Sequence, residues 1–260
     1  MFASVPVNGV LVAFKDVPLA VQRFCVPAYL YNAGEPDFDV SKSGSAFLLR
    51  YRECNFALCC RHQIAAFDAD QFSIMLQQPN GRFIGLPPDA IGEAQAQPPH
   101  QANLDDIALF EYRSPRNGRE LRRHFLQIDL ATTREDLDAG SIIASAAIGY
   151  PTSAVEYSDP LEGGGVNIRV GWLRLYLTDA APALMDEENR LPMVQDPLAL
   201  QRPLDRPDGM SGAPVFCVWR SEDWQCHLSF LGMITSARNG RFMIYSARHI
   251  RRALDEYIAL

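Results

Sequence analysis

Short apolar runs broken by turn residues recur along most of the chain, a pattern that predicts strands rather than helices. Residues 5–14 and 24–31 read as the first two strands, and residues 32–43, with Gly34-Glu35-Pro36 inside, as a loop. Strands follow at 44–51 and 55–60, joined by a tight hairpin at Arg52-Glu53-Cys54. Residues 72–76 and 82–86 read as a second hairpin about Asn80-Gly81, a pair suited to a two-residue turn. Residues 87–103 are polar and proline-bearing, and read as a surface loop. Strands at 106–112 and 125–130 close the first half, and the polar, acidic stretch 132–140 reads as a linker. The second half opens with strands at 142–150 and 166–177, the latter around Trp172. Residues 178–208 carry Pro182, Pro192, Pro197, Pro203 and Pro207 and read as a long loop region, which in compact domains is usually functional or disordered. Strands resume at 214–219, 227–235 and 241–246. From Ala247 the period changes, and Ala247, Ile250, Leu254, Tyr257 and Ile258 fall on one helical face.

Composition narrows the partners. A chain of 260 residues that is 48% hydrophobic can build one large core or two small ones. A net charge of −7 argues against nucleic acid, because phosphate binding needs clustered excess Lys and Arg. The first thirty residues lack a basic segment followed by a continuous apolar one, since Asp16, Pro18 and Gln22 interrupt them. No signal peptide, transmembrane helix or membrane partner is therefore expected. The six cysteines (Cys25, Cys54, Cys59, Cys60, Cys217 and Cys226) do not have zinc-site spacing, and neither a metal nor a cofactor is expected. Several lie in apolar runs, where free cysteine packs as a small hydrophobe, so a cytoplasmic location is the simplest account. A Cys217–Cys226 disulfide across a hairpin stays open.

The candidate chemistry centres on Asp208-Gly209-Met210-Ser211-Gly212-Ala213-Pro214. Two glycines beside one hydroxyl permit tight-turn dihedrals and can aim backbone N–H groups into one hollow. Ser211 is thus a candidate nucleophile, with the Gly209 and Ser211 N–H groups as oxyanion donors. A plain glycine-rich turn before a strand is the alternative. A serine hydroxyl needs a base, and His62 ends the apolar run 55–60 while Asp106 opens another. Asp105 competes with Asp106 for the carboxylate role. His249 falls on the closing helix, and His124 and His227 fall in strands as packed or solvated residues.

The runs Gly44-Ser45-Ala46-Phe47-Leu48-Leu49, Phe56-Ala57-Leu58-Cys59-Cys60-Arg61-His62, Asp106-Ile107-Ala108-Leu109-Phe110 and Gly209-Met210-Ser211-Gly212-Ala213-Pro214 together resemble the trypsin/chymotrypsin-like serine protease family. The order His, Asp, Ser is that family's order. Ile148-Gly149-Tyr150-Pro151 and Phe230-Leu231-Gly232-Met233-Ile234 are similar to further segments of it. The resemblance implies an all-β fold of two six-stranded antiparallel barrels with a C-terminal helix. Residues 1–135 would carry His62 and Asp106, and residues 136–260 would carry Ser211 and a closing helix at 247–259. It implies a serine endopeptidase acting on a protein or peptide substrate through a Ser-His-Asp triad and an acyl-enzyme. A catalytically silent binding module and an esterase on the same triad remain as alternatives.

Two departures matter. Secreted digestive members carry an aspartate where this chain has Met210, so the oxyanion turn must be ordered by packing or by an activating protein partner. The flanking disulfide cysteines of those members are missing. Asp205, six residues before the serine, sits where an acidic pocket base would favour Arg or Lys in the substrate. Met243 sits where open pockets carry glycine and would narrow the pocket, so the two readings conflict. Thr235, Ser236 and Ala237 should line the wall that pairs with an extended substrate backbone. Arg113, Arg116, Arg119, Arg122 and Arg123, clustered about Asn117-Gly118, read as a solvated hairpin or as a dock for an acidic partner. Stand-alone cytosolic members of the family often cut one chosen protein, sometimes in bacterial defence, which is analogy alone.

Overall fold

The chain turns back on itself almost at once. β1 (Ser4–Val7) and β2 (Val10–Ala13) form a hairpin about Asn8 and Gly9, whose φ angles are 47° and 77°. Both angles are positive, as a two-residue hairpin turn of the right twist requires, and Asn-Gly reaches them at the least steric cost. The single strand expected over 5–14 is therefore two strands. A short 3-10 turn leads into α1 (Val17–Gln22), with Pro18 in the first turn, where a missing N–H breaks no helical bond. The computed structural model describes residues 4–32, 40–64, 68–77, 83–93, 106–116, 120–158, 167–180, 190–238 and 240–260. The turn expected at Asn80-Gly81, the loop residues Gly34-Glu35-Pro36, Asp105, Asn117-Gly118, Arg119 and Pro182 lie outside them.

The first large sheet contains β3 (Cys25–Tyr31), β4 (Val40–Tyr51), β5 (Cys54–Cys60), β6 (Phe72–Gln77), β7 (Phe83–Leu86), β8 (Ala90–Glu93), β9 (Ile107–Tyr112) and β10 (Leu126–Gln127). Their order is β7-β6-β3-β4-β5-β9-β8, with β10 parallel to β4 and all other neighbours antiparallel. The sheet forms a half-barrel of eight strands where six were expected. Its extra edge comes from Ala90–Glu93, inside the region read as a loop, which pairs with β9. The β4–β5 hairpin is as tight as expected, with Arg52 and Glu53 at φ 43° and 56°.

The second sheet closes. β11 (Ile142–Gly149), β14 (Leu173–Asp179), β15 (Arg190–Gln195), β16 (Pro214–Arg220), β17 (Cys226–Arg238) and β18 (Arg241–Ser246) form a six-stranded barrel in the order β11-β14-β15-β18-β17-β16. Between the first two of these, β12 (Val155–Ser158) and β13 (Asn167–Val170) make a separate hairpin. The break at Gly171-Trp172 divides the strand expected over 166–177 into two pieces that serve different sheets. β15 lies in the middle of the proline-bearing region expected to be a loop. The Cys217–Cys226 disulfide is not formed: the register sets Cys217 opposite Ser229 and Cys226 opposite Arg220, and both thiols are free.

α2 (Ala247–Ile258) closes the chain, with Ser246 as its N-cap accepting from Arg248 N at 3.3 Å. It buries Ala247, Ile250, Ala253 and Leu254, which extends one core across the barrel and the half-barrel. Among the described residues no helix is long and apolar enough to cross a membrane. The centre of that core is aromatic. Phe47 of β4 meets Phe216 of β16 edge-on at 5.4 Å and Phe230 of β17 at 4.8 Å between ring centroids. Three rings from two sheets fill one buried site, so truncation there should loosen both sheets together. Phe230→Ala is expected to cost about 3–5 kcal/mol, read as a lower midpoint in urea unfolding; a change within error would place the joining contact elsewhere.

Candidate active site

β5 runs straight into a 3-10 turn at Arg61–Gln63, and that turn presents His62 at the edge of the half-barrel. β9 begins one residue after Asp106 and pairs with β5 in antiparallel register, Cys60 opposite Ile107. The pairing brings the two side chains together. His62 Nδ1 lies 2.7 Å and 2.9 Å from the two Asp106 carboxylate oxygens, His62 N donates to Oδ1 at 3.0 Å, and Arg61 N donates to the Asp106 carbonyl at 2.9 Å. The histidine is thus held at both its backbone and its ring.

Ser211 comes from the other sheet, on the turn ahead of β16. Gly209 and Gly212 flank it at φ 85° and 81°, angles that favour glycine. A Cβ on Gly212 would collide with the Ser45 carbonyl oxygen, and one on Gly44 with Gln63 Nε2. A Cβ on Gly209 would come within 2.7 Å of Lys42 Nζ and of the Tyr150 carbonyl oxygen. These glycines answer to close approach as well as to φ. Gln63 fills the space they leave. Its Oε1 accepts from Cys60 N at 2.6 Å, and its Nε2 donates to the Ser211 carbonyl at 3.0 Å and to the Ser45 carbonyl at 3.3 Å. Ser45 N also donates to the Ser211 carbonyl at 3.0 Å, while Ser45 Oγ donates to the Gly209 carbonyl at 2.9 Å and accepts from Tyr150 N.

His62, Asp106 and Ser211 line one cleft of about 370 Å3, together with Thr235, Ser236 and Ala237. Among the described residues no hydrogen bond joins the Ser211 hydroxyl to His62. Met210 N donates to the Pro207 carbonyl and Gly212 N to the Ile234 carbonyl, whereas among the described residues the Gly209 and Ser211 N–H groups have no acceptor. Met210 is fully buried against Gly149, so the residue before the serine is held by apolar packing.

Two expected site residues stand apart. Asp205 is exposed in a bend and does not line the cleft. Gln195 of β15 binds the Arg202 carbonyl at 2.7 Å and Leu204 N at 3.1 Å, which fixes the segment just ahead of Asp205 along the barrel's flank. Met243 is half-buried, opposite Pro192 and Ser236 in the barrel wall, and does not line the cleft either. The Thr235 hydroxyl donates to the Met243 carbonyl at 3.2 Å and is spent within the wall. Arg190, Pro207, Asp208 and Ile234 complete the cleft; Asp208 and Ile234 belong to stretches singled out in the sequence, whereas Arg190 and Pro207 were given no part in the site there. Arg190 opens β15, which the proline-rich composition concealed. Gln63, next to His62 and buried, carries no motif that marks it.

His249 lies on α2 away from the cleft, with its ring 5.9 Å from that of Tyr245. His227 stacks on Trp219 at 4.6 Å, and His124 ends a 3-10 turn rather than sitting in a strand. A donor set of Cys60, His62 and Asp106 has its ligand atoms within 4.8 Å of one another. Cys60 does not suit a metal: burial pushes its thiol pKa well above the ordinary value, and Sγ donates to the Ile234 carbonyl at 3.3 Å.

No protein-family model and no curated protein sequence matches the chain. Among solved structures it is similar to human heparin binding protein, at 12% identity and a TM-score of 0.51, over 90% of this chain and 91% of that one. The likeness is one of fold, a chymotrypsin-like pair of β-barrels.

Lys42 gives this region a measurable signature. Its Nζ is buried beside Gly209 with no hydrogen-bond partner among the described residues, and burial lowers its pKa from 10.5 to about 8. Below about pH 8 the folded state therefore carries a desolvated cation. Between about 8 and 10.5 the folded chain has lost that proton while the unfolded chain keeps it, so stability gains with rising pH. Lys42→Met should accordingly stabilise the protein near pH 7, by roughly 3 kcal/mol at most, with the advantage shrinking toward pH 10. Thermal unfolding of both proteins across that range checks it, and a gap that stays constant with pH rules it out.

Proposed function

We propose that the chain is a serine endopeptidase. The observation that carries this reading is the His62–Asp106 contact at 2.7 Å within a cleft that Ser211 also lines. With Nδ1–H donated to the carboxylate, the imidazole keeps its lone pair on Nε2 and can take the Ser211 proton as the oxygen attacks a peptide carbonyl. Asp106 then stabilises the imidazolium. The two N–H groups of Gly209 and Ser211, which have no acceptor among the described residues, would receive the negative charge on the carbonyl oxygen. Protonation of the leaving amine by Nε2–H breaks the peptide bond and leaves an acyl-serine. Water, deprotonated by His62, hydrolyses that ester and restores the hydroxyl. Thr235, Ser236 and Ala237 of β17 would align an extended protein or peptide substrate along the cleft.

A second reading, a binding module that keeps the fold without turnover, has support in the structural neighbour, which is named as a heparin binding protein. A fluorophosphonate probe separates the two. Ser211 should be labelled in the untrimmed chain, and Ser211→Ala and His62→Ala should each lose on the order of 10^4–10^6 in kcat on a cleaved peptide. An intact but unlabelled wild-type protein would favour the binding module. Labelling with turnover of small esters and of no peptide would make the chain an esterase.

A further inference from the structure

A second cleft, of about 540 Å3, opens on the half-barrel side and shares no described lining residue with the first. Arg23, Arg50, Arg122 and Arg123 line it, against Glu120 as the one carboxylate among its described lining residues. The chain as a whole has more acids than bases, 31 against 24, so four guanidinium groups around one hollow run against the overall balance.

The hollow is built rather than incidental. The Arg50 side chain is only 7% exposed, and its guanidinium is fixed by Glu53 at 2.5 Å and Asn55 at 3.4 Å. Glu53 is itself 84% exposed and is shared with Arg122 at 3.3 Å. Glu120 answers Arg122 and Arg50 in part: its hydrogen bonds first, and then those two guanidinium groups, hold its carboxyl below the usual carboxylate range. Its carboxylate accepts from Ser114 Oγ at 2.5 Å and from the Arg122 backbone N–H at 2.9 Å, and so holds the loop. Arg23 is stacked over the Phe24 ring at 4.6 Å, and Arg123 Nε lies 3.4 Å from His124 Nε2. The rim is fixed too: Asn8 Nδ2 donates to the Phe125 carbonyl at 3.1 Å and its Oδ1 accepts from Gln127 N at 2.7 Å. The positive field is felt locally, since His124 has its pKa lowered by burial first and then by Arg123 and Arg23.

We propose that this arginine-lined cleft binds a small phosphorylated ligand. Guanidinium groups match the oxygens of a phosphoryl group in pairs, and a group with nearly two negative charges suits several of them better than a lone carboxylate does. A hollow of this volume fits a ligand of nucleotide size rather than the track of a polymer.

The test is calorimetric titration of the full chain at low salt with inorganic phosphate, pyrophosphate and ATP in turn. Saturable binding of at least one is expected, weakened tenfold or more by Arg122→Gln with Arg123→Gln. Both are exposed, which keeps the buried Arg50 and the fold intact. Arg202→Gln removes an exposed arginine outside the cleft and should leave the affinity unchanged. Saturation of inorganic phosphate alone supports a single-phosphoryl ligand, and tighter binding of pyrophosphate or ATP supports one with several. The proposal is overturned by no saturation with any of the three below about 10 mM, or by equal weakening in the Arg202 control. Serine labelling plays no part in this readout, so the two proposals fail separately.

Discussion

One buried hydrogen-bond network, with the Gln63 amide at its centre and Ser45 beside it, holds the two halves of the candidate active site in register. The His62–Asp106 pair belongs to the half-barrel and Ser211 to the closed barrel, so nothing in either sheet alone sets the distance between them. Gln63 crosses that gap, bound to Cys60 on its own strand end and to the Ser211 carbonyl opposite. The crossing is possible because Gly44 and Gly212 lack side chains at the two points where the amide and the Ser45 backbone press in. A buried amide left without partners costs about 1–3 kcal/mol, so the network resists any displacement of the serine turn that would break it. The same geometry places His62, one residue before Gln63, where it must share the cleft.

That dependence explains what could be read from the sequence and what could not. Strand ends next to the candidate residues were legible because each sits where an apolar run stops or starts: β5 ending at Cys60 before His62, β9 starting after Asp106, β16 starting after Gly212-Ala213. Strand β18 and the closing helix were legible for the same reason, period 2 giving way to period 3.6 at Ala247. Gln63 was not, because its role lies in contacts to residues as far away in the chain as Ser211. Asp205 was placed by its count from the serine, yet the bonds from Gln195 to the Arg202–Leu204 stretch decide where that stretch runs. β15 was missed because prolines suggest loops, although Pro192 keeps its place opposite Met243 in the ladder and its carbonyl accepts from Ala180 N. The Asn8-Gly9 turn was visible in the sequence as an Asn-Gly pair, and the expectation of one long strand passed over it.

The charges around the serine turn are arranged unusually for a buried site. Met210 packs without charge at its centre, and Lys42 places an ammonium against Gly209. A cation held there without a hydrogen bond to the described residues is destabilising for the fold, since burial penalises its charged form. It also puts positive potential beside one of the two N–H groups assigned to the developing oxyanion. A charge that costs stability while favouring negative charge next to it fits a site organised for chemistry better than a turn selected only to fold.

β4 ties this site to the arginine cleft. Ser45, Lys42 and Gly44 lie toward one end of the strand, and Arg50 lies toward the other, with every residue from Gly44 to Arg50 buried. Five residues of extended chain separate Ser45 from Arg50, roughly 17 Å, and their odd spacing turns the two side chains to opposite faces of the sheet. The strand is paired on both sides, to β3 and β5, and also to β10. A strand so enclosed acts as a fixed spacer between the two clefts. An anion in the arginine cleft would therefore alter the serine turn only if the protein had two arrangements of that turn and the anion bound one of them better. Proximity along β4 supplies the mechanical connection, and a difference in affinity between two states would have to supply the coupling.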